Sequence, residues 1–309
     1  MSKFLLGIDI GGTKTAVLIG NEKFHITNRL EFPTKRNFKV FLNDLTCSIS
    51  KIKNEHNIAA VGVVVGGPLD AEKGILYNPP HLGWGTINLL EELRKMFDVT
   101  VKIEHDAKAE ALAEWKLGAG KGFKNIIFLT LGTGLGAGIV INGHLYRGSS
   151  NVAGEVGHIR IDEEGPFLYG KEGTWESYCS GEGIAKLAHF MFPSYFEQNI
   201  STPQVSSMAN AGDLKAIEVL KVSGEHFGKG LALLFDILDP ERIILGPLSW
   251  RLPNLWLKSA LKVLEKEALL RKEVVSRVVK SALKEKVGDF AAIVIAHQSL
   301  SKGGNSLET

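Results

Sequence analysis

The residue with the clearest chemical potential is Asp106. It sits in Ile103-Glu104-His105-Asp106-Ala107, between a β-branched run, Val99–Ile103, that reads as a strand and an alanine-rich run, Ala107–Leu117, that reads as a helix stopped by Gly118. A helix N-terminus favours an ionised carboxylate, and strand-to-helix junctions are where open α/β folds bind ligands. An Asp before a helix also serves simply as its cap. Two glycine loops weigh against that plainer reading. The apolar run Phe4–Ile10, broken only by Asp9, enters Gly11-Gly12-Thr13-Lys14-Thr15 and resumes as Ala16–Gly20; Asn125–Leu131 enters Gly132-Thr133-Gly134-Leu135-Gly136 and resumes as Ile139–Ile141. Glycines let backbone N–H groups converge on a phosphate. Thr13 and Lys14 add a hydroxyl and a cation, and Asp9 can hold the water shell of a Mg²⁺ ion. Alternatively, each loop is a hairpin turn that needs glycine and nothing more.

Further candidates follow the second loop. Gly154-Glu155-Val156-Gly157-His158 places a carboxylate and an imidazole three residues apart, and the loop-rich stretch from Gly165 to Gly183 contains Glu176. Gly66-Gly67-Pro68 ends the strand Ala59–Val65 and brings backbone close to something. In Asn78-Pro79-Pro80-His81-Leu82-Gly83-Trp84, the tryptophan offers a flat face for a sugar ring or, equally, a core anchor.

Two strand–loop–strand units, each heading half of the chain, indicate an internal duplication. At 309 residues two domains are expected. A charged fraction of 23% and a net charge of +2 exclude binding driven by a nucleic-acid backbone, and two cysteines make no disulfide framework. No apolar run reaches the ~18 residues of a membrane span and no signal-peptide pattern opens the chain, so a cytoplasmic enzyme is expected, free of membrane and nucleic-acid partners. Phe38–Asn54, Asp213–Leu238 and Phe290–Leu300 read as helices, with a polar, disordered tail after the last. Leu257–Lys286 carries nine Lys or Arg against four Glu on helical spacing and reads as a solvated helix face.

Together these pieces resemble the ROK family (repressors, open reading frames and sugar kinases) of the actin-like ATPase and hexokinase fold. The resemblance rests on Asp9-Ile10-Gly11-Gly12-Thr13-Lys14, Glu104-His105-Asp106-Ala107, Leu131-Gly132-Thr133-Gly134-Leu135-Gly136, Gly154-Glu155-Val156-Gly157-His158 and Asp239-Pro240-Glu241-Arg242-Ile243-Ile244-Leu245-Gly246. It implies an α/β, ribonuclease H-like fold of two domains, 1–118 and 119–289, with the helix near 290–300 packing back on the first and the active site in the cleft between lobes. It implies ATP and Mg²⁺, with phosphates held by Gly11, Gly12, Thr13 and Lys14 and by Gly132, Thr133 and Gly134, Mg²⁺ at Asp9, and adenosine beside Gly246. Asp106 matches the base that takes the proton from the attacking sugar hydroxyl. Gly67, His81, His105, Asp106, Glu155, His158 and Glu176 match hexose-binding positions. The expected reaction is phosphoryl transfer to a hexose, glucose first, in a homodimer or larger homo-oligomer.

The departures carry information too. The family's zinc motif keeps His158, but its cysteine positions read Phe167, Tyr169 and Thr174. No structural zinc is therefore expected, and apolar packing of Phe167, Tyr169 and Trp175 is expected to staple Gly165–Glu176 instead. His81 and His105 stand where the family has asparagine, which predicts a narrowed or shifted sugar specificity. Gly246-Pro247-Leu248 replaces a more glycine-rich end of the adenosine motif. The rival readings are an N-acetylmannosamine or N-acetylglucosamine kinase and, in another class, a sugar-binding regulatory protein with little turnover. A DNA-binding repressor is disfavoured, since Asp9 follows Met1 too closely for a preceding helix-turn-helix.

Overall fold

Alternation of apolar residues explains how the first glycine loop is presented. β1 (Phe4–Ile10) pairs antiparallel with β2 (Lys14–Asn21), which pairs with β3 (Ile26–Pro33). After α1 (Phe38–Lys53), β4 (Ile58–Val65) joins β1 in parallel, and β5 (Thr100–His105) joins β4 in parallel before the chain enters α2 (Asp106–Leu117). The sheet order is β3-β2-β1-β4-β5. Ile10 lies opposite Val65, and Val65 opposite His105. The carboxyl ends of three parallel strands thus reach one edge, delivering Asp9, Gly66-Gly67 and His105-Asp106 together. This is the edge where α/β sheets bind ligands.

Side chains of successive strand residues point to opposite faces. Leu6, Ile8, Ile10, Val61, Val63 and Val65 form one core with Phe41 and Leu45 of α1. The other face of the strands receives the helix Val287–Leu300. There Gly62 is required: a Cβ would lie 2.2 Å from Ala296 N and 2.3 Å from Ala292 O. No side chain survives such a contact with helix backbone.

The second sheet repeats the first. β6 (Ile126–Leu131), β7 (Leu135–Ile141) and β8 (His144–Tyr146) form an antiparallel meander. A long excursion follows through α3 (Trp175–Cys179), α4 (Gly181–Met191), α5 (Thr202–Asn210) and α6 (Leu214–Leu238). Then β9 (Arg242–Leu245) joins β6 in parallel, α7 (Asn254–Glu267) crosses, and β10 (Val278–Lys280) joins β9. The order β8-β7-β6-β9-β10 has the connectivity of the first sheet, strand for strand. Gly224 and Gly228 of α6 face the backbone of α7, where Cβ atoms would fall 2.4 Å from Trp256 O and 2.3 Å from Ala260 O. The last element among the described residues is α8 (Val287–Leu300).

The structure, a computed structural model, describes residues 3–53 and 56–300. It comprises two units, Met1–Ala113 with Glu285–Thr309, and Glu114–Lys284. Asn54 and the polar tail beyond Leu300 lie outside the described residues. Among the described residues, no helix is long and apolar enough to cross a membrane. Leu257–Lys286 is not one helix: α7 stops at Glu267, Lys272–Val275 is a single turn, and Val278–Lys280 is a strand. Val278 and Val279 are β-branched residues with an open sheet edge beside β9, and that pairing overrides the helical spacing.

Candidate active site

In the first unit, Asp106 opens α2 but does not cap it. Its Oδ1 accepts from the next amide, Ala107 N, at 2.6 Å, where a capping side chain bonds an amide two or three residues on. The Asp106 side chain keeps 40% of its surface exposed, and Oδ2 faces Gly66, whose Cβ would lie 3.4 Å away. His105 Nδ1 stands 3.0 Å from Asp106 Oδ1, within ion-pair distance but without hydrogen-bond geometry. The other edge of the His105 ring rests on Gly67, where a Cβ would meet Cδ2 and Nε2 at 2.9 Å. His81 lies against the first hairpin, since a Cβ on Gly12 would lie 2.9 Å from its Cβ. Trp84 is a core anchor and no sugar platform: it is buried, packs on Phe41 and Phe38, and donates Nε1–H to Lys35 O at 2.8 Å.

The first hairpin closes through Gly11 N to Lys14 O at 3.0 Å. Lys14 is exposed and reaches Glu31 at 3.1 Å. Behind the turn, Asp9 keeps some exposed surface, but its carboxylate is enclosed by the first turn of α8, where a Cβ on Gly288 would sit 2.3 Å from Oδ2. Burial pushes its carboxyl up to about 7; Asp289 and Asp106 raise it further, and Arg29 and Lys14 partly oppose them. Asp289 is itself paired with Arg29 at 2.9 Å. Asp9 offers one oxygen donor of the kind a hard divalent cation takes, and among the described residues no group of three His, Cys, Asp or Glu side chains is disposed to hold a metal ion by itself.

In the second unit, the Gly154–His158 motif is seated by two backbone approaches. Gly154, at φ +99°, accepts from Ala137 N at 2.7 Å through its carbonyl, and Gly157 lies against Leu135 O, 2.2 Å from where its Cβ would be. The short 3₁₀ turn Val156–His158 therefore rides on β7 and exposes Glu155 and His158. Glu176, on α3, returns to the same place: its Oε2 accepts from Leu135 N at 2.7 Å, directly behind the glycine loop. Burial raises the Glu176 carboxyl, the Leu135 amide and nearby His158 lower it, and Glu155 and Glu182 raise it. Electrostatically, then, Glu155, His158 and Glu176 are one group beside Gly134.

The loop Gly132-Thr133-Gly134 also rests on α4, with Gly181 N donating to Gly132 O at 2.8 Å and Glu182 N to Thr133 O at 3.0 Å. Beyond it opens a cavity of about 660 Å³, walled by Gly132, Thr133, Glu182, Ser206, Leu248 and Arg251 among others. Its size suits a nucleoside. Gly246 stands behind this wall, donating its N–H to Leu129 O at 2.9 Å; the turn after it, Leu248–Arg251, supplies the lining. Neither α5 nor Glu182 announced itself as part of a site.

The expected staple of Gly165–Glu176 requires correction. Phe167 and Tyr169 are 59% and 40% exposed, and only Trp175 of the three is buried. Phe167-Leu168 and Lys171-Glu172 form a tiny hairpin, and its alternation turns Leu168 inward and Phe167 outward. A polar node secures the stretch instead. Asp162 Oδ2 meets His226 Nε2 at 2.9 Å and Lys229 Nζ at 3.2 Å, which together hold its carboxyl down to about 2. The His226 ring stacks on Tyr178 at 3.8 Å, and Tyr178 donates its hydroxyl to Glu164 O at 2.7 Å. Asp162 and His226 are 64 residues apart, and no local pattern joins them.

The ROK family model matches residues 5–299. The glucokinase of Streptomyces coelicolor is 32% identical over 255 residues, spanning 78% of this chain and 80% of its own. The structure of a ROK family glucokinase from Streptomyces griseus in complex with glucose and AMPPNP superposes with a TM-score of 0.79 at 28% identity, over 96% of this chain and all of that one. The xylose repressor of Bacillus subtilis is 32% identical over 194 residues, 62% of this chain and 49% of the repressor. The fold is that of the actin-like ATPases.

Proposed function

The chain belongs to the ROK family, and on that footing we propose that it is an ATP-dependent hexose kinase with glucose as the first acceptor to test. The observation that carries the proposal is Asp106, an exposed carboxylate that does not cap its helix, delivered by strand register to the same sheet edge as Asp9 and the first glycine hairpin. In the proposed reaction the acceptor hydroxyl gives its proton to Asp106 as its oxygen bonds to the γ-phosphorus, and the bond from that phosphorus to the departing ADP oxygen breaks. Positioning and charge neutralisation dominate such transfers. In the first unit, Gly11-Gly12 and Lys14 serve phosphate, and His105 and Gly67 serve sugar hydroxyls. In the second unit, the backbone N–H groups of Gly132-Gly134 serve phosphate, and Glu155, His158 and Glu176 serve sugar hydroxyls. Asp9 would help to hold Mg²⁺, which would supply neutralisation of phosphate charge.

A coupled assay with ATP across hexoses and hexosamines tests the proposal. Turnover of glucose supports it, and turnover of N-acetylmannosamine or N-acetylglucosamine alone moves the acceptor to the N-acetylated class. The repressor relative favours one further reading, a sugar-responsive binding protein. Sugar binding by calorimetry without turnover on any member of the panel selects that reading. The enzyme reading also carries a cytoplasmic homo-oligomer, for which the solution mass by light scattering is the check.

A further inference from the structure

Tyr169 has a backbone conformation that its side chain does not favour. It and Gly170 form the two-residue turn between Phe167-Leu168 and Lys171-Glu172, at φ +46° and +83°. Such turns need positive φ at both positions and are the province of Asn, Asp and Gly. A tyrosine there is strained, and strain of this kind persists only where surrounding contacts over-determine it. One such contact is visible: Tyr169 Oη donates to Glu182 Oε2 at 3.1 Å. Burial, then Glu182 and Glu176, push the phenol above its ordinary range, so the hydroxyl stays a proton donor to Glu182.

Glu182 gives the contact its meaning. It lines the 660 Å³ cavity together with Gly132 and Thr133, and its N–H holds Thr133 O, so its carboxylate brings negative charge to the α4 side of the glycine loop. Lys186 lies 3.8 Å from the other carboxylate oxygen, a loose and solvent-screened pair. A free carboxylate at this place repels a polyphosphate arriving at Gly132–Gly134.

We propose that Tyr169 is a positioning residue for the nucleotide: its hydroxyl holds the Glu182 carboxylate against the cavity wall and so sets nucleotide affinity. The inference rests on the kinase reading, and it assigns no contact between Tyr169 and the reacting atoms. Tyr169→Phe keeps the ring and the turn while removing the tether. Losing one net hydrogen bond of this type predicts a rise of about threefold to tenfold in KM for MgATP and in the Kd of AMPPNP, with kcat and the KM of the best acceptor sugar within about twofold. Glu182→Gln removes the charge, so nucleotide affinity stays at or above that of the unmodified chain, and adding Tyr169→Phe to it changes little. A purely structural role moves sugar and nucleotide constants together and survives in the Glu182→Gln background. Calorimetry with AMPPNP separates the possible failures. An unmodified chain that binds no AMPPNP overturns the kinase reading and this inference with it. Binding that Tyr169→Phe leaves unchanged, or weakens equally with Gln at position 182, overturns this inference alone.

Discussion

Replacing Asp9 with asparagine is expected to stabilise the metal-free protein while abolishing its proposed activity. The folded carboxyl sits at about 7 against an ordinary 3.8. Between those values the folded chain holds a proton that the unfolded chain has released, so stability falls as pH rises through this window and is level above it. At 1.36 kcal/mol per pKa unit, ionising Asp9 in place costs at most about 4 kcal/mol. Solvent at its exposed surface brings the realistic figure to about 2 kcal/mol. An asparagine side chain has the same shape and no charge to strand. In EDTA, Asp9→Asn should therefore melt several degrees above the unmodified chain at pH 8, and the gap should close as pH approaches 4. Adding Mg²⁺ should raise the melting temperature of the unmodified chain and not that of the variant. Scanning fluorimetry at pH 4.5, 6 and 8 reads all three effects. A variant no more stable than the parent at pH 8, or a gap independent of pH, refutes the electrostatic account of this carboxylate.

Asp106→Asn should fold normally and lower kcat by roughly 10²–10⁴-fold, the usual contribution of a general base; a near-normal kcat in the coupled assay returns Asp106 to a structural role. His105→Asn should reorder kcat/KM across the sugar panel if the imidazole reads hydroxyls beside Gly67, because a site built for one hydroxyl rejects sugars that lack it; an unchanged order means that the ring only packs. The Asp162 carboxyl is depressed to about 2, so its pairing with His226 and Lys229 contributes above its ordinary range and is lost as pH falls from about 4 toward 2. Amide exchange across Ile159–Thr174 should accelerate there before the sheets open, and Asp162→Asn should show the faster exchange already at pH 7. Purification without added metal should give no stoichiometric zinc by mass spectrometry, and one zinc per chain overturns the reading of Phe167, Tyr169 and Thr174 as replaced ligands.

Much of the fold was legible because its signals are local. Strand alternation, the glycine turns and the apolar C-terminal helix all follow from neighbouring residues, and the repeat of two strand–loop–strand units appears in the structure as two sheets of one connectivity. Asp106, Glu155, His158 and Glu176 were singled out as candidates from motifs whose resemblance covers nearly the whole chain. What escaped depended on distant partners or on geometry. The pairing of Asp162 with His226 spans 64 residues. The exposure of Phe167 is decided by one residue of register in a short hairpin. Val278–Lys280 reads as helix until β9 offers it an edge. The turn at Tyr169 gives no warning in the sequence, since tyrosine is a poor choice for a position with positive φ.

The seating of α8 on β1 and β4 bears on how the molecule is made. Glu114–Lys284 is one uninterrupted stretch and contains every strand of its own sheet. The sheet that starts with Phe4 lacks one of its two covers until residues 287–300 have left the ribosome, because Gly7 and Gly62 were left bare for Ala292 and Ala296. During synthesis that apolar face has no partner for most of the chain's length, a long-range dependence that slows folding and invites chaperones. Asp9 is caught in the same schedule, since Gly288 and Asp289 complete its surroundings only at the end. A nascent chain that has not yet presented residues 287–300 thus lacks both the cover of its first core and the Gly288–Asp289 surroundings of Asp9.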